Sequence, residues 1–268
     1  MISFPNINPT AFSIFGINIQ WYGIAYALGL LLGLFHAKKI LKDKEIIKSK
    51  IFDDLILWLA LGVIFGGRLG YVVFYDLNFY LTNLTLILLD IRKGGMSFHG
   101  GLLGVMCGVY LFCIKKRINF LRCMDVISCC APIGIFFGRI TNFINSELWG
   151  KTTSVPWGII FPNGGDLPRH PSQIYEAFFE GILLFLILNF YYKKKYLIEG
   201  YCASLFLILY GVFRVFIEFF REPDSHIGYI FGDFISTGIL LSFPMILVGL
   251  FIFFRVNAKY RDTIKKNH

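Results

Sequence analysis

Charge is what this 268-residue sequence has least of. Asp, Glu, Lys and Arg together make up 16% of it, against about 25% in an ordinary soluble domain. A deficit of that size excludes a conventional solvated surface over most of the chain. Several chemical motifs are also missing: there is no Walker-type phosphate loop, no HExxH, no GxSxG and no cluster of acidic metal ligands. Metal-dependent phosphatase chemistry and a lipase-type serine are therefore disfavoured. The six cysteines (Cys107, Cys113, Cys123, Cys129, Cys130 and Cys202) form no CxxC or Cys/His metal spacing and read as small apolar fillers. The first residues lack a basic segment ahead of the first apolar run, so no cleavable signal peptide is expected.

What is abundant is apolar sequence, at 56% with a mean hydropathy of +0.64. This composition implies an all-α integral membrane protein. Windows of about 20 apolar residues predict seven transmembrane helices, at roughly 18–36, 54–75, 97–114, 123–145, 174–192, 201–220 and 233–254. The chain, 1–268, then reads as a single polytopic membrane domain. The connection 146–173 carries Pro156, Gly158, Pro162, Gly164, Gly165 and Pro168, which signal irregular structure and suggest a small head inserted between two spans. No internal repeat of 20–50 residues is visible.

Lys and Arg orient these spans. Eighteen of the 26 fall on one side, in the loops 37–53 and 115–122, at Lys193–Lys195 and in the tail after Phe254. Five fall on the other side, and Arg68, Arg139 and Arg214 lie within spans. The positive-inside rule places the N-terminus outside and the C-terminus inside. In a bacterium this puts the connections 76–96, 146–173 and 221–232, and hence the head, in the periplasm. The net charge of +9 is explained by this topology, and nucleic acid is not an expected partner.

The most informative stretch is 138–150, G-R-I-T-N-F-I-N-S-E-L-W-G, at the end of a long apolar run. Arg139 and Asn142 are three apart and share a helix face. A guanidinium at that depth is costly without an anionic partner. With the predicted topology, Arg139, Asn142, Asn145 and Glu147 lie at the outer end of one span, and Arg214, Glu218 and Arg221 at the outer end of another. Arg214 and Glu218 are four apart, the spacing of an intrahelical pair. His99, Arg68, His170 and Tyr22 fall at the same level. Each has a plainer role to set beside this: Arg221 snorkelling to headgroups, Arg68 bridging helices, His99 donating to a carbonyl, and Trp21 and Tyr22 serving an aromatic belt. The glycines at 66, 67, 70, 94, 95, 100, 101 and 104 serve either close helix packing or the approach of a headgroup to the backbone.

Phosphate suits a planar guanidinium, which holds it through paired hydrogen bonds. At the outer leaflet, its natural source is a phospholipid headgroup. Charge and position alone thus leave three classes open: an enzyme acting on an anionic lipid, a transporter or flippase for such a lipid, and a non-catalytic lipid-binding membrane protein. A transporter favours polar groups at mid-membrane depth and a two-fold repeat.

At these residues the chain resembles the bacterial prolipoprotein diacylglyceryl transferase family. Gly138-Arg139-x-x-Asn142-Phe143-x-Asn145-x-Glu147-x-x-Gly150 is similar to its signature in spacing and identity. The likeness extends through Trp21-Tyr22-Gly23, Gly66-Gly67-Arg68-x-Gly70-Tyr71 and Gly94-Gly95-Met96-Ser97-Phe98-His99-Gly100-Gly101. It continues in Arg169-His170-Pro171-Ser172-Gln173-x-Tyr175-Glu176 and Arg214-x-x-x-Glu218-Phe219-Phe220-Arg221-x-Pro223-Asp224. Thr141 stands where Gly or Ala is usual, and Gln20 where a His often precedes Trp-Tyr-Gly.

The resemblance implies a seven-span inner-membrane enzyme with a periplasmic head. Such an enzyme moves the diacylglyceryl group of phosphatidylglycerol onto the lipobox cysteine of a prolipoprotein signal peptide and releases glycerol 1-phosphate. It needs no protein nucleophile, metal or cofactor. By the same resemblance His99 is the expected base, with His170 as second candidate. Arg139 and Arg214 are expected on the lipid phosphate and the leaving group. Tyr22, Arg68, Asn142, Asn145, Glu147, Gly150, Glu218 and Arg221 are expected to bind substrate or orient the arginines.

Overall fold

The structure is a computed structural model that describes residues 2–5, 7–42, 47, 51–75, 77–83, 85–89, 97–222, 229–231 and 235–266. The side chain of His99, Gly94-Gly95-Met96 and Pro223-Asp224 fall outside the described residues. The protein is mostly helical. Among the described residues, six helices are long and apolar enough to cross a membrane: Trp21–Leu41, Ile51–Val73, Phe120–Ile144, Ser172–Lys195, Tyr201–Glu218 and Gly238–Lys266. The expected third span, 97–114, coincides with a helix at Phe98–Lys116 that is not one of the six.

The chain forms two compact units, Lys38–Cys123 and the remainder, Met1–Ala37 with Met124–His268. In the order of the sequence the helices are α1 (Trp21–Leu41), α2 (Ile51–Tyr75), α3 (Leu77–Thr82), α4 (Leu86–Leu89), α5 (Phe98–Lys116) and α6 (Phe120–Ile144). They continue as α7 (Ser172–Glu176), a π-helical segment (Ala177–Leu183), α8 (Leu184–Lys195), α9 (Tyr201–Glu218) and α10 (Thr237–Lys266). Short strands are β1 (Ile2–Ser3), β2 (Thr10–Ile14), β3 (Ile17–Gln20), β4 (Ile159–Ile160), β5 (Tyr229–Phe231) and β6 (Ile235–Ser236).

In the unit Lys38–Cys123, α2 and α5 pack backbone to backbone. A Cβ at Gly66 would lie 2.4 Å from the Gly100 carbonyl oxygen, and one at Gly104 2.1 Å from that of Gly62. Glycines four apart on both helices make this approach possible, the small-xxx-small pattern of membrane helix pairs. Gly100 and Gly104 are therefore packing residues. Ser97 caps α5: its backbone N–H donates to the Gly67 carbonyl at 2.8 Å, and its hydroxyl accepts from the Gly100 N–H at 3.2 Å.

In the other unit, the first helix begins three residues later than expected. Ile17–Gln20 alternates apolar and polar residues and pairs antiparallel with Thr10–Ile14, so it belongs to a hairpin, not to the span. Gln20 donates to the Thr10 hydroxyl at 3.2 Å across that hairpin. β1 pairs parallel with β4, tying the N-terminus to the 146–173 segment. The fifth and sixth expected spans are separated by the turn 196–200, which ends at Gly200, the N-cap of α9 with a φ of +86°. Buried Asp125 of α6 accepts from the Gly200 and Ala203 N–H groups at 2.7 and 2.9 Å, and so satisfies the open N-terminus of α9. α10 runs to Lys266, well past the expected end at 254.

Candidate functional site

Arg139 on α6 does have an anionic partner within the protein. Its two terminal nitrogens each lie 3.3 Å from a carboxylate, Nη1 from Glu176 Oε2 and Nη2 from Glu180 Oε2. Those glutamates are four apart where α7 passes into the π-helical segment, and both are 0% exposed. Arg214 on α9 forks between Glu176 Oε1 and Glu218 Oε1, the latter at 2.5 Å. Arg221 lies 3.5 Å from Glu218 Oε1 and 4.0 Å from Glu176 Oε1. It is buried and ion-paired, so it does not snorkel. Glu218 also accepts from Ser236 Oγ at 2.8 Å, and that hydroxyl accepts from the Ile239 N–H at the start of α10. The outcome is a largely buried cluster of three guanidinium groups and three carboxyl groups.

A polar triad of Tyr22, Asn142 and Glu147 belongs to the same unit. Tyr22 Oη donates to Glu147 Oε1, while Asn142 Nδ2 donates both to Tyr22 Oη and, at 2.9 Å, to Glu147 Oε1. The turn that brings Glu147 back over Asn142 contains Ser146 and Leu148 at φ +53° and +56°, a left-handed conformation uncommon outside glycine. Fully buried Gln173 and Ser172 clamp this turn: Gln173 Nε2 donates to the Glu147 carbonyl at 2.5 Å and Ser172 Oγ to the Leu148 carbonyl at 2.9 Å. Strain over-determined by surrounding hydrogen bonds is a common feature of functional sites. Thr141 donates to the Phe137 carbonyl at 3.0 Å, so its extra bulk is taken up within α6. Asn145 Oδ1 is buried with no hydrogen-bond partner among the described residues.

After the turn, the chain forms a three-way backbone junction. The Gly150 N–H donates to the His170 carbonyl at 2.8 Å and the Lys151 N–H to the Phe220 carbonyl at 2.9 Å. A Cβ on Gly150 would meet Phe220 O at 2.4 Å and His170 Cβ and O at 2.7 Å. Glycine is required here by the close approach of two other segments. The His170 ring packs edge-on to Tyr175 and Phe220, with Nδ1 3.1 Å from Tyr175 Oη. Burial holds its pKa below the ordinary histidine value, so the ring is neutral at pH 7. Trp157 Nε1 donates to Tyr175 Oη at 2.7 Å, which leaves the tyrosine proton available to His170 Nδ1.

Of the residues expected from the sequence, Tyr22, Asn142 and Glu147 meet in the triad; Arg139, Arg214, Glu218 and Arg221 meet in the ionic cluster; and Gly150 and His170 meet at the junction. Arg68 belongs to the other unit. It is buried there, donating from Nε to the Ile87 carbonyl at 2.6 Å and from Nη2 to Tyr80 Oη at 3.0 Å and the Leu86 carbonyl at 3.1 Å. It thereby satisfies carbonyls of the short helix α4. His99 stands in the first turn of α5. Sequence reasoning missed the roles of Glu176, Glu180, Gln173 and Ser236. The signal for the first two was present, because carboxylates four apart at the start of an apolar span mark a functional site by default.

The family model for prolipoprotein diacylglyceryl transferase matches residues 9–255 of the chain. A phosphatidylglycerol–prolipoprotein diacylglyceryl transferase from Rickettsia felis is 49% identical over 264 residues, covering 96% of this chain and 100% of the relative. One from Ehrlichia ruminantium is 47% identical, covering 92% and 96%. One from Brucella anthropi is 42% identical, covering 96% and 94%.

Proposed function

The chain belongs to the prolipoprotein diacylglyceryl transferase family, and from that premise we propose that it moves the diacylglyceryl group of phosphatidylglycerol onto the lipobox cysteine of prolipoprotein signal peptides. Sulfur forms a bond to the sp³ glyceryl carbon, the carbon–oxygen bond to phosphate breaks, and glycerol 1-phosphate leaves with the bonding electron pair. The thiol proton goes to a base. The observation that carries the reading is the largely buried cluster of Arg139, Arg214 and Arg221 inside the matched region, where a phosphate can take a carboxylate's place on an arginine.

Arg139, the most exposed of the three at 19%, takes the lipid phosphate. Arg214, held between two carboxylates, stabilises charge on the departing phosphate. Loss of one such contact costs about 10²–10³ in rate. Asn142, Glu147 and Tyr22 receive the glycerol hydroxyls through the triad, with Asn145 Oδ1 as a further acceptor. Glu218 and Arg221 orient Arg214. Gly150 keeps the turn in register, and Arg68 fixes α4 against α2 through the Ile87 and Leu86 carbonyls. His99 is the base that takes the thiol proton. In the tautomer that accepts from Tyr175 at Nδ1, a neutral His170 carries its hydrogen on Nε2 and has no free basic nitrogen. This supports His99 over His170 in that role.

The enzyme on this reading is a seven-span protein of the bacterial inner membrane with 146–173 as a periplasmic head and the whole chain acting as one membrane domain. Its N-terminus is periplasmic, its C-terminus cytoplasmic, and its site lies at the outer leaflet. The test is reconstitution in vesicles containing phosphatidylglycerol, with a lipobox peptide as acceptor. Mass spectrometry should show a gain of one diacylglyceryl unit on the cysteine. Folded protein that yields no such product rules the reading out.

A further inference from the structure

We propose that Glu180 is a tethered counter-anion for Arg139, which competes with the phosphate of the incoming lipid and of the released ester and so sets how tightly each is held; this rests on the function proposed above. Arg139 and Arg214 are held differently. Arg214 is gripped closely, with Glu218 at 2.5 Å and Glu176 on its other nitrogen. Arg139 is held loosely, at 3.3 Å from each of two carboxylates, longer than the 2.7–2.9 Å of a well-formed charged hydrogen bond.

The two partners of Arg139 are not equivalent. Glu176 is shared, since it also faces Arg214 and Arg221. Glu180 forms its ion pair with Arg139, and its other oxygen, Oε1, has no hydrogen-bond partner among the described residues. Releasing Glu180 from Arg139 thus breaks none of the direct contacts among Arg214, Glu176 and Glu218. The groups around Glu180 are Arg139 from α6, Arg214 and Tyr210 from α9, and Glu176 on its own helical run.

Charge balance then states the problem that Glu180 solves. With three guanidinium groups facing three carboxylates in their ionised form, the cluster has no net formal charge to offer a phosphodiester. The lipid is held when its phosphate displaces one carboxylate from one arginine. The released monoester carries more charge than the diester and would be retained by an uncompensated arginine. A carboxylate fixed to the scaffold returns to Arg139 as the product leaves, and so limits product retention. The same competition weakens lipid binding, and tight substrate binding alone does nothing for kcat.

The experiment compares wild type, Glu180→Gln and Glu180→Asp in mixed micelles of phosphatidylglycerol with a lipobox peptide. KM for the lipid, kcat and the inhibition constant of glycerol 1-phosphate are read for each. Glu180→Gln should lower both the KM and the inhibition constant by about tenfold, within the range of coupled-site effects, and lower kcat through slower product release. Glu180→Asp keeps the charge on a shorter arm and should shift both constants the same way by less. A raised or unchanged KM, or a lower kcat with an unchanged inhibition constant, overturns the proposal. If Glu180→Gln does not fold, the Glu180→Asp constants decide, and no shift in them overturns it as well. Wild-type turnover in the same assay is a separate arm: its absence sinks the transferase reading, whereas its presence with unshifted constants in the variants sinks the counter-anion role alone. An equal shift with inorganic phosphate in place of glycerol 1-phosphate assigns the competition to phosphate in general, the chemistry that the proposal names.

Discussion

Asn142 Nδ2 lies 2.9 Å from Glu147 Oε1, five residues further along the chain, and the same amide nitrogen donates to Tyr22 Oη. The contact closes the strained turn through Ser146 and Leu148. Because Tyr22 sits between the two partners as both donor and acceptor, its hydroxyl can be deleted while the Asn142–Glu147 contact stays. Tyr22→Phe should therefore cost only about 1–2 kcal/mol of stability and yet lower turnover by about tenfold or more. Thermal unfolding beside lipobox lipidation checks this. Normal turnover in Tyr22→Phe would remove the tyrosine from the site.

Gly150→Ala should be far more damaging than its size suggests. The added methyl group meets two backbone oxygens and His170 Cβ at 2.4–2.7 Å, and backbone atoms do not move aside cheaply. A loss of about 3 kcal/mol or more is expected, in the class of overpacked and strained sites. Yield and melting temperature of the purified variant are the readout, and a variant as stable as wild type would contradict the junction described here.

The role of His99 is open to a test by pH. A free thiol has a pKa of about 8.5, so at pH 9 much of the substrate is thiolate without help. His99→Gln should lose activity far more at pH 6.5 than at pH 9. A loss of equal size at both values points to a structural part for His99.

Acid stability should report on His170. Its folded pKa lies below the ordinary 6.5 because of burial. Between those two values the unfolded chain binds more protons than the folded one, so stability rises with pH across that window. The contribution is complete above about pH 6.5 and is lost as pH falls through the folded value. His170→Gln should flatten this dependence, measured as the change in unfolding midpoint between pH 7.5 and pH 5 in detergent. An unchanged slope would show that the ring titrates as it does in the unfolded chain.

Much of the fold is legible in the sequence because apolar runs of membrane length leave few alternatives. Among the described residues, helices long and apolar enough to cross a membrane are found at six of the seven expected spans, and the Arg214–Glu218 pair follows directly from i, i+4 spacing. What is lost is information that passes between helices. Nothing local to 138–150 tells that Arg139 reaches Glu176 and Glu180 on a helix beginning at 172. The hairpin at Thr10–Gln20 was concealed because its apolar residues adjoin the first span, and hydropathy averaged over a window does not register alternation. Gly150 was visible as a motif residue, but its reason, three segments meeting at one Cα, is tertiary.

The π-helical segment Ala177–Leu183 has a mechanical consequence of its own. A π-bulge is an α-helix that holds one extra residue in a turn, so the two α-helical stretches on either side of it need not share a rotational phase. Glu176 keeps its aim at the arginines, while Leu184, Leu188 and Tyr192 keep theirs at the packed interior. Excising one residue from the segment would restore a regular helix and turn one stretch by about 100° relative to the other. The charged half or the greasy half would then face the wrong way. The span is in effect two gears on one shaft, joined by a keyed coupling.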